Sequence, residues 1–329
     1  MSTYDVIGVE NMTMDFAVQI NKLPQTDGFA MIRDYCWQSG GNAGSAIVAL
    51  ARLGAPCGMI GVTGTDPFGR FCKEDMERHG VDTSHIAEQD GDTTFCICLA
   101  EQETQGRSIL GKLGSAGALK PEEIDAEYIR SAKAIHVGFP ITPASNEAIR
   151  IARENGVLVS LDAGGPVPNA MEIAANTDIL IMSESFYGAL FEDTNYEKNC
   201  RKLLEAGPRI VIVTLGKKGC AGADARGSFR LESFAGAGYE IVDTTGAGDV
   251  FHGGFLYAYL NRYGKVPYNY TLSDCAKFAS AVSYINCLTL GGRTGIPDLA
   301  MVDTFLKENT VDLDLLHDRR EFYKHAVLK

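Results

Sequence analysis

Short apolar runs alternate with amphipathic segments along much of the chain. The runs at residues 6–9 and 57–62 have the length and composition of buried strands. Four similar runs follow residue 121, at 134–137, 157–161, 179–181 and 210–214. Segments with helical spacing lie between most of these runs, and strands that alternate with helices pair as a mainly parallel sheet with both faces covered. The pattern therefore predicts an α/β fold.

Two segments interrupt this alternation. Residues 15–38 are irregular in pattern, whereas residues 93–110 alternate like a β-hairpin. We predict that about residues 12–38 and 93–112 form a small β-sheet lid beside the main sheet. The chain has no repeat, low-complexity tract or linker, so residues 1–329 are predicted to form a single domain.

The strongest chemical signal is a run of small and acidic residues before the helix predicted over 250–260: Asp243-Thr244-Thr245-Gly246-Ala247-Gly248-Asp249. Small residues at 246–248 let the backbone approach an anion closely, and the positive end of the helix dipole points at the same place. Asp249 would repel a phosphate there, which is tolerable if its carboxylate takes a proton from an attacking hydroxyl. The run therefore predicts phosphoryl transfer, although the same residues would also serve as an ordinary helix cap.

Composition narrows the classes of function. The 329-residue chain carries a formal net charge of −12 and has no basic run, which argues against a nucleic-acid polymer as a partner. No apolar run approaches the length of a membrane span, and the N-terminus lacks the basic and apolar regions of a signal peptide. The nine cysteines have no paired metal-ligand spacing and are predicted to be reduced, mostly buried thiols. We expect a cytoplasmic protein.

Three motifs together give the chain its resemblance to the PfkB family of carbohydrate kinases, also called the ribokinase-like family. They are Gly40-Gly41-Asn42 at the start of a helix, the run at 243–249, and Thr214-Leu215-Gly216-Lys217-Lys218-Gly219 after a core strand. The resemblance extends from Val6 to about Leu306. It implies a ribokinase-like α/β fold, with a mainly parallel central sheet flanked by helices and a small β-sheet lid. It also implies an ATP-dependent sugar kinase.

The resemblance implies a catalytic role for the run at 243–249. The carboxylate of Asp249 would deprotonate the sugar hydroxyl that attacks the γ-phosphate of ATP. The N–H groups of Gly246, Ala247 and Gly248 would form an anion hole. Mg²⁺ would arrive with ATP, held largely by phosphates and water. Besides Gly246 and Gly248, four residues after the core strand would contact the nucleotide: Thr214, Gly216, Lys217 and Gly219.

The resemblance also implies a sugar site. Asp15 matches the family's sugar-binding aspartate, whose carboxylate accepts two hydroxyl hydrogen bonds. Gly40 and Gly41 would let the backbone approach the sugar, and the Asn42 amide offers a donor and an acceptor. Most members carry Asn three residues beyond position 42, where this chain has Ser45. The shorter side chain of Ser45 is expected to lose that sugar contact or to make it through water.

A monovalent cation site is implied beside the anion hole. The backbone oxygens of Asp243 and Thr245 match positions that help to hold such a cation, for example K⁺, in many relatives. Gly291 lies near the matching C-terminal loop. Carbonyl ligands leave little imprint in a sequence, so this expectation rests on the resemblance alone.

Two further features bear on the identity of the sugar. Where many relatives carry Asn-x-x-Glu near the phosphates, this chain has Ser183-Glu184-Ser185-Phe186, and Phe186 cannot replace that carboxylate. Ketohexokinases share the Gly-Gly-Asn start and the serine at 183, which favours a ketohexose such as fructose, or a modified ketose. Three basic residues of the predicted lid would either bind an acidic group on the sugar or remain solvated: Arg33, Arg107 and Lys112. Of these, Arg107 is the predicted substrate contact.

Several alternatives stay open at this point. A Rossmann oxidoreductase needs G-x-G-x-x-G after its first strand, and residues 8–12 lack it. A non-catalytic regulator that binds nucleotide or sugar would be expected to lose Asp249, which is present. A nucleoside or other non-sugar alcohol kinase of the same family would use lid aromatics such as Phe29 and Trp37 for stacking. The strand edges of the lid also predict a homodimer that forms through it.

Overall fold

The computed structural model describes residues 2–262 and 271–328. The strands in this part of the chain are β1 (Tyr4–Val9), β2 (Thr13–Ile20), β3 (Ile32–Ser39), β4 (Cys57–Gly64), β5 (Asp82–Gln89), β6 (Thr94–Glu101), β7 (Gly106–Lys112), β8 (Ala132–Val137), β9 (Leu158–Ala163), β10 (Ile179–Ser183), β11 (Ile210–Thr214), β12 (Cys220–Asp224) and β13 (Gly227–Leu231). The α-helices are α1 (Asn42–Arg52), α2 (Pro67–Arg78), α3 (Ala126–Arg130), α4 (Pro143–Glu154), α5 (Ala170–Ala175), α6 (Glu184–Gly188), α7 (Tyr196–Leu203), α8 (Ala247–Tyr257), α9 (Leu272–Asn286), α10 (Leu299–Glu308) and α11 (Leu313–His325). A π-helical turn, Ala258–Arg262, extends α8.

Nine of the described strands form the main sheet, in the order β13-β12-β11-β10-β9-β8-β1-β4-β5. The sheet is parallel from β11 to β5, and β12 and β13 add antiparallel strands at one edge. Val6 and Ile7 are neighbours on β1 and both are fully buried, but they belong to different hydrophobic cores because successive side chains point to opposite faces. The predicted mainly parallel sheet with both faces covered is confirmed.

Three strands of the main sheet escape prediction from the sequence: β5, β12 and β13. β5 and β13 are the outermost strands of the sheet, and β12, which consists mainly of small residues, lies between β11 and β13. In β5 the only large aliphatic residue is Ile86, and along β13 half-buried positions alternate with exposed ones. Their apolar content is too low to mark a strand without knowledge of its neighbours.

The other four described strands form a small sheet in the order β3-β2-β6-β7. In it β2 and β6 run parallel, and the two outer pairs are antiparallel. Both segments predicted to form the lid contribute strands to this sheet. The irregular pattern of residues 15–38 did not mark the two strands of this segment individually, and β2 and β3 pair along most of their length. The polar residues Asp15 and Gln19 are buried on β2, so polarity does not mark the solvent side of this strand.

Helix α8 packs closely against α1 and α9, and this packing fixes where the two predicted motifs lie. A Cβ atom on Gly253 would lie 2.7 Å from the Cβ of Ala49 on α1, so glycine allows the two helices to approach. On the next residue, Gly254, a Cβ would lie 3.1 Å from the side chain of Val282 on α9. The helices opened by the Gly-Gly-Asn motif and by the Gly-Ala-Gly-Asp motif are therefore in direct contact.

Two expectations from composition are answered by the structure. All nine cysteines are free and eight of them are buried, as predicted. Throughout residues 2–262 and 271–328, every helix is too short or too polar to cross a membrane.

Candidate active site

Four carboxylates lie together where α1 and α8 begin: Glu10, Asp15, Asp162 and Asp249. Glu10 directly follows β1, Asp162 lies near the end of β9, and Asp249 is in the first turn of α8. Asp15 comes from β2 of the small sheet. The charges of the other three carboxylates each raise the pKa of Asp249, which requires that they lie close to it. The main sheet, the small sheet and both motif helices thus contribute to one site.

Asp249, the predicted base, is half-buried in this group. Burial above all, and then the charges of Asp162 and Glu10, raise the pKa of Asp249 well above its ordinary value. A carboxylate with a raised pKa accepts a proton more readily than a surface aspartate does, as a general base requires. The charge of Arg107 on β7 lowers the same pKa. The strand register also puts Arg107 and Asp15 on the same face of the small sheet, so both predicted substrate contacts face the base.

The loop before α8 offers backbone donors to an anion. Gly246 precedes the helix in the left-handed conformation, with φ of 71°. The N–H of Ala247 donates to the carbonyl oxygen of Thr244 at 3.3 Å. In the described part of the chain, the N–H groups of Gly246 and Gly248 have no protein acceptor. Two of the three predicted anion-hole donors are therefore available, and the role of the hole stays a prediction.

Asp243 holds this loop to the loop that follows α9. Its buried carboxylate accepts the N–H of Thr245 at 2.8 Å and the N–H of Gly291 at 2.9 Å. The hydroxyl of Thr245 is buried and has no partner among the described residues. The two residues predicted to offer backbone oxygens to a monovalent cation thus lie beside Gly291, as expected, and cation binding there stays a prediction.

The predicted sugar-binding Asp15 is buried and lies directly against Gly40. A Cβ on Gly40 would overlap the carboxylate carbon and both carboxylate oxygens of Asp15. Burial raises the pKa of Asp15 to about 7, and the positive charge of Arg293 opposes that shift. Within the described residues the Asp15 carboxylate has no hydrogen-bond donor, so both oxygens remain free to accept hydroxyl groups.

Replacing Gly40 by alanine should displace Asp15 and weaken sugar binding. We expect the KM for the sugar to rise by roughly 10- to 100-fold, because a shift of about 1 Å in a positioning group has effects of this size. The KM for ATP should stay within about twofold. Initial rates with either substrate varied test this, with Gly227→Ala as the control, since a Cβ on Gly227 meets nothing within 4 Å. An unchanged sugar KM in the folded Gly40→Ala variant would remove Asp15 from the sugar site.

Glu10 is a site residue that the sequence did not reveal. Its carboxylate accepts the N–H of Asn42 at 3.1 Å and the N–H of Gly44 at 3.2 Å, so it caps the first turn of α1 from a distant part of the chain. A Cβ on Gly138, after β8, would lie 2.5 Å from Glu10 Oε1. Burial raises the pKa of Glu10 to about 7, although these N–H groups oppose the shift. Its only signal in the sequence is an acidic residue at the end of the first strand.

Glu10 should make the protein less stable as the pH rises. Its pKa is about 7 in the folded protein and ordinarily 4.5, so the folded state binds the proton more tightly. The resulting stabilisation is complete below about pH 4.5 and is lost as the pH rises through 7. We therefore expect the Tm of Glu10→Gln, relative to the unmodified protein, to increase between pH 4.5 and 7.5. Thermal unfolding at several pH values tests this, with the exposed Glu192→Gln as the control. A Tm difference that is independent of pH would show that folding does not raise the pKa of Glu10.

Asn42 is anchored by a buried acid that the sequence also did not reveal. Its Nδ2 donates to Asp162 Oδ2 at 2.9 Å, and His252 Nε2 lies 3.4 Å from Asp162 Oδ1. Burial alone would raise the pKa of Asp162, but His252 and the Asn42 hydrogen bond lower it overall. His252 lies three residues after Asp249 on α8, and that spacing was its only signal in the sequence.

Ser45 and Arg293 lie beneath the Gly-Gly-Asn turn. Ser45 is 3% exposed, and its hydroxyl accepts Arg293 Nε at 3.3 Å. Arg293 is fully buried and also donates from Nη2 to the carbonyl oxygen of Gly40 at 2.6 Å. The Ser45 hydroxyl therefore supports the turn from behind, and its predicted contact with sugar stays a prediction. Nothing in the sequence distinguished Arg293 from a surface arginine.

The predicted nucleotide turn follows β11. The Thr214 hydroxyl donates to the carbonyl oxygen of Met182 at 3.3 Å, and the Lys217 carbonyl accepts the hydroxyl of Ser233 at 2.7 Å. Two glycines of the turn have positive φ, 55° at Gly216 and 88° at Gly219. The turn is therefore built from backbone conformations that favour glycine, and its contact with nucleotide stays a prediction.

In the segment that replaces Asn-x-x-Glu, one side chain lies in the hydrophobic core and another lies at the surface. Phe186 is fully buried in the hydrophobic core, away from solvent. Glu184 lies 3.1 Å from Lys218 Nζ and accepts the hydroxyl of Tyr196 at 2.7 Å. The described residues contain no cluster of three or more histidine, cysteine, aspartate or glutamate side chains arranged to hold a metal ion.

Comparisons with known proteins agree on one family. The model of the pfkB family carbohydrate kinases matches residues 30–299. The ATP-dependent ribose-1-phosphate kinase of Halopiger xanaduensis is 30% identical over 307 residues, which cover 92% of this chain and 98% of that relative. Probable fructokinase-3 of Arabidopsis thaliana is 26% identical over 324 residues, which cover 92% of this chain and 91% of that relative.

The fold has close counterparts among solved structures. Arabidopsis thaliana ribokinase, solved in complex with ribose and ATP, matches with a TM-score of 0.75 at 23% sequence identity. The match covers 96% of this chain and 99% of that one. The ribokinase-like α/β fold expected from the motifs is thereby confirmed.

Proposed function

The chain belongs to the pfkB family of carbohydrate kinases, and from this premise we propose that it transfers the γ-phosphate of ATP to a primary hydroxyl of a ketohexose such as fructose, or of a modified ketose. The family and its named kinases show that the protein is a phosphotransferase whose acceptor is a hydroxyl group of a sugar. The choice of a ketose, the hydroxyl that reacts and the residues that act are the proposal.

The position of Asp249 carries this proposal. Asp249 lies in the first turn of α8, next to Gly246 and Gly248, whose N–H groups have no acceptor among the described residues. Neighbouring acids strengthen its affinity for a proton. It would accept the proton of the substrate hydroxyl as that oxygen bonds to the γ-phosphorus and the bond to the departing ADP oxygen breaks. The two N–H groups would hold the negative charge on the transferred group.

ATP would bind with its nucleotide at the turn formed by residues 214–219 and its γ-phosphate at the loop before α8. Thr214, Gly216, Lys217 and Gly219 would contact the nucleotide. Mg²⁺, bound mainly by phosphate and water oxygens, would supply charge neutralisation during transfer. A monovalent cation such as K⁺ would bind at the backbone oxygens of Asp243 and Thr245, where the buried Thr245 hydroxyl has no other partner in the described chain.

The sugar side of the site supports a small polyol. Asp15 offers two free acceptor oxygens, Asn42 borders the same space, and Gly40 and Gly41 keep it open. The Gly-Gly-Asn start and the serine at 183 favour a ketose, and one relative is a probable fructokinase. Closure of the small sheet over the sugar would exclude water and limit wasteful hydrolysis of ATP.

A sugar that carries an acidic group is the second candidate. The charge of Arg107 on the small sheet lowers the pKa of Asp249, and a guanidinium on this side of the site is suited to a phosphate or carboxylate on the substrate. The Halopiger relative is named for a sugar phosphate. This candidate differs from the first in one prediction, since only an acidic substrate should depend strongly on Arg107.

The test is a measurement of ADP release from Mg-ATP across ketoses, aldoses, sugar phosphates, sugar acids and nucleosides, in K⁺ and again in Na⁺. We expect the highest kcat/KM with a ketohexose and little effect of Arg107→Gln on it. Turnover of a sugar phosphate or sugar acid that falls at least tenfold in Arg107→Gln would select the second candidate. Preference for a nucleoside would overturn both, and equal rates in K⁺ and Na⁺ would overturn the cation site.

We also propose that two copies associate through the small sheet. Its outer strand β7 exposes Ile109 and Leu110, which are 55% and 59% exposed, and β3 exposes Ile32 at the opposite edge. Unpaired strand edges with apolar side chains favour pairing with another chain. Sedimentation should give twice the mass of one chain, and Leu110→Glu should reduce it to one. Leu313→Glu on α11 is the control, and a single-chain mass for the unmodified protein would contradict the proposal.

A further inference from the structure

A series of buried polar residues leads from the proposed sugar site into the core. Asn42 Nδ2 donates to Asp162 Oδ2 at 2.9 Å, and Asp162 Oδ1 lies 3.4 Å from His252 Nε2. Behind His252, the ring of His136 lies with its centroid 5.0 Å away, and His136 Nδ1 is 3.1 Å from the hydroxyl of Ser160. Asp162, His252 and His136 are at most 5% exposed. Asn42, a proposed sugar contact, is therefore held in place by a series of buried side chains.

The hydrogen bond from Asn42 to Asp162 determines which side-chain atom Asn42 presents to a ligand. An ionised carboxylate only accepts hydrogen bonds, and His252 stabilises the ionised form of Asp162. Asn42 must then give its amide nitrogen to Asp162 and turn its carbonyl oxygen Oδ1 the other way. In the described residues Oδ1 has no donor, and Asn42 is half-buried.

Among the described residues, the ring nitrogens of His252 make a polar contact only with Asp162. Its second ring nitrogen, Nδ1, is buried and has no partner in the described chain, and the same is true of His136 Nε2. Burial and the neighbouring His252 lower the pKa of His136 to about 3, so His136 is a neutral packing partner rather than a competing charge. Removing the Nε2 donor of His252 should therefore release Asp162 and, through it, Asn42.

We propose that Asp162 and His252 are positioning residues that lock Asn42 with its carbonyl oxygen towards the sugar, so that Asn42 offers the sugar a hydrogen-bond acceptor and no donor. An acceptor at this position selects a substrate hydroxyl, which donates, and rejects an acidic group on the same side of the sugar. An acidic group, where present, must face Arg107. The inference rests on the family's sugar kinase activity and not on the choice of a ketose.

Fluorinated sugars test this polarity in the unmodified enzyme. A C–F group accepts a weak hydrogen bond but cannot donate one, whereas a deoxy sugar does neither. The probes are D-fructose and its 3- and 4-deoxy and 3- and 4-fluoro analogues, or the same analogues of whichever sugar has the highest kcat/KM. At the hydroxyl that faces Asn42, we expect the fluoro sugar to be as poor as the deoxy sugar, both at least tenfold below the parent. A fluoro sugar more than fivefold better than the deoxy sugar at both positions would overturn the proposal.

Variants then identify the residues that impose the polarity. In Asp162→Asn and in His252→Leu, Asn42 is free to turn its amide nitrogen to the sugar, and we expect the fluoro sugar to exceed the deoxy sugar at least threefold. His252→Gln should behave like the unmodified enzyme, because a glutamine amide can replace the Nε2 donor. Asp178→Asn is the matched control, because Asp178 precedes β10 and so lies at the opposite end of the parallel strands from Asp162. A fluoro-to-deoxy ratio that is unchanged in both folded variants would show that Asp162 and His252 are merely structural.

The proposal and the ketose assignment fail in different ways. Failure of the ketose assignment appears as absent turnover of D-fructose, and the polarity test then proceeds on the best sugar of the panel. Failure of the polarity proposal appears only in the fluoro-to-deoxy ratio. The KM for ATP should stay within about twofold in all variants, which separates a local effect on Asn42 from a general loss of structure.

Discussion

We expect Asp249→Asn to lower kcat by roughly 10²–10⁴-fold, the range observed when a general base is lost. Asparagine has nearly the shape of aspartate, but it cannot take the proton of the attacking hydroxyl. Because Asp249 lies in the first turn of the helix whose N–H groups would face the transferred phosphate, its charge should also repel ATP. The variant should therefore bind ATP as tightly as the unmodified protein or more tightly.

Two measurements separate these effects. Single-turnover rates of phosphoryl transfer report the loss of the base, and calorimetric titration with ATP reports the removed repulsion. The exposed Asp90→Asn is the matched control, since it removes one carboxylate from the surface. A kcat within fivefold of the unmodified enzyme would mean that another group takes the proton. Weaker ATP binding in Asp249→Asn would mean that the carboxylate does not face the phosphates.

Of the substitutions proposed for this protein, Arg293→Met should cause the largest decrease in the free energy of unfolding. Arg293 and Asp75 are both fully buried, with Nη1 and Oδ2 3.5 Å apart. Removing one partner leaves an uncompensated charge in the interior, which costs about 3–5 kcal/mol. Asp75 would keep its hydrogen bonds from Ser39 and Tyr323, at 2.9 and 2.7 Å, which should hold the loss within that range.

Urea denaturation measures the loss, and a second substitution identifies its cause. Adding Asp75→Asn to Arg293→Met should recover part of the stability, because the unpaired carboxylate is then gone. Arg201→Met on the exposed side of α7 is the control. A loss below 1 kcal/mol would show that water or another cation reaches Asp75. Since Arg293 also holds the Gly40 carbonyl, residual folded enzyme should show a raised sugar KM.

The sequence contained enough information to predict the fold and the two helix-opening motifs. Apolar runs and small residues are local signals, and Asp15 and Asp249 stand in recognisable patterns. The residues that support the site carry no such signal. Arg293 meets Ser45 across 248 positions of sequence, and Asn42 meets Asp162 across 120. Their roles arise only when the sheet and its helices bring distant segments together.

The same reasoning explains why the strands of the small sheet were not delimited from the sequence. A strand with one solvent-facing side alternates in polarity, but β2 lies between β3 and β6 and buries the polar side chains of Asp15 and Gln19. Buried polar residues at these positions obscure the pattern by which a strand is recognised. The pattern of residues 15–38 therefore predicted a place in the small sheet but did not mark β2, the strand that carries the predicted sugar contact.

The contact at Gly253 has a consequence for how this enzyme can change over evolution. It joins the helix that carries the proposed base to the helix that carries the Gly-Gly-Asn turn, where a Cβ on Gly253 would lie 2.4 Å from the carbonyl oxygen of Ala46. These two helices pack directly on each other, whereas Arg107 and the neighbouring side chains belong to a separate sheet. Mutations in that sheet can alter which sugar is accepted without disturbing the alignment of the reacting groups. Divergence of substrate preference among relatives need not require reinvention of the chemistry.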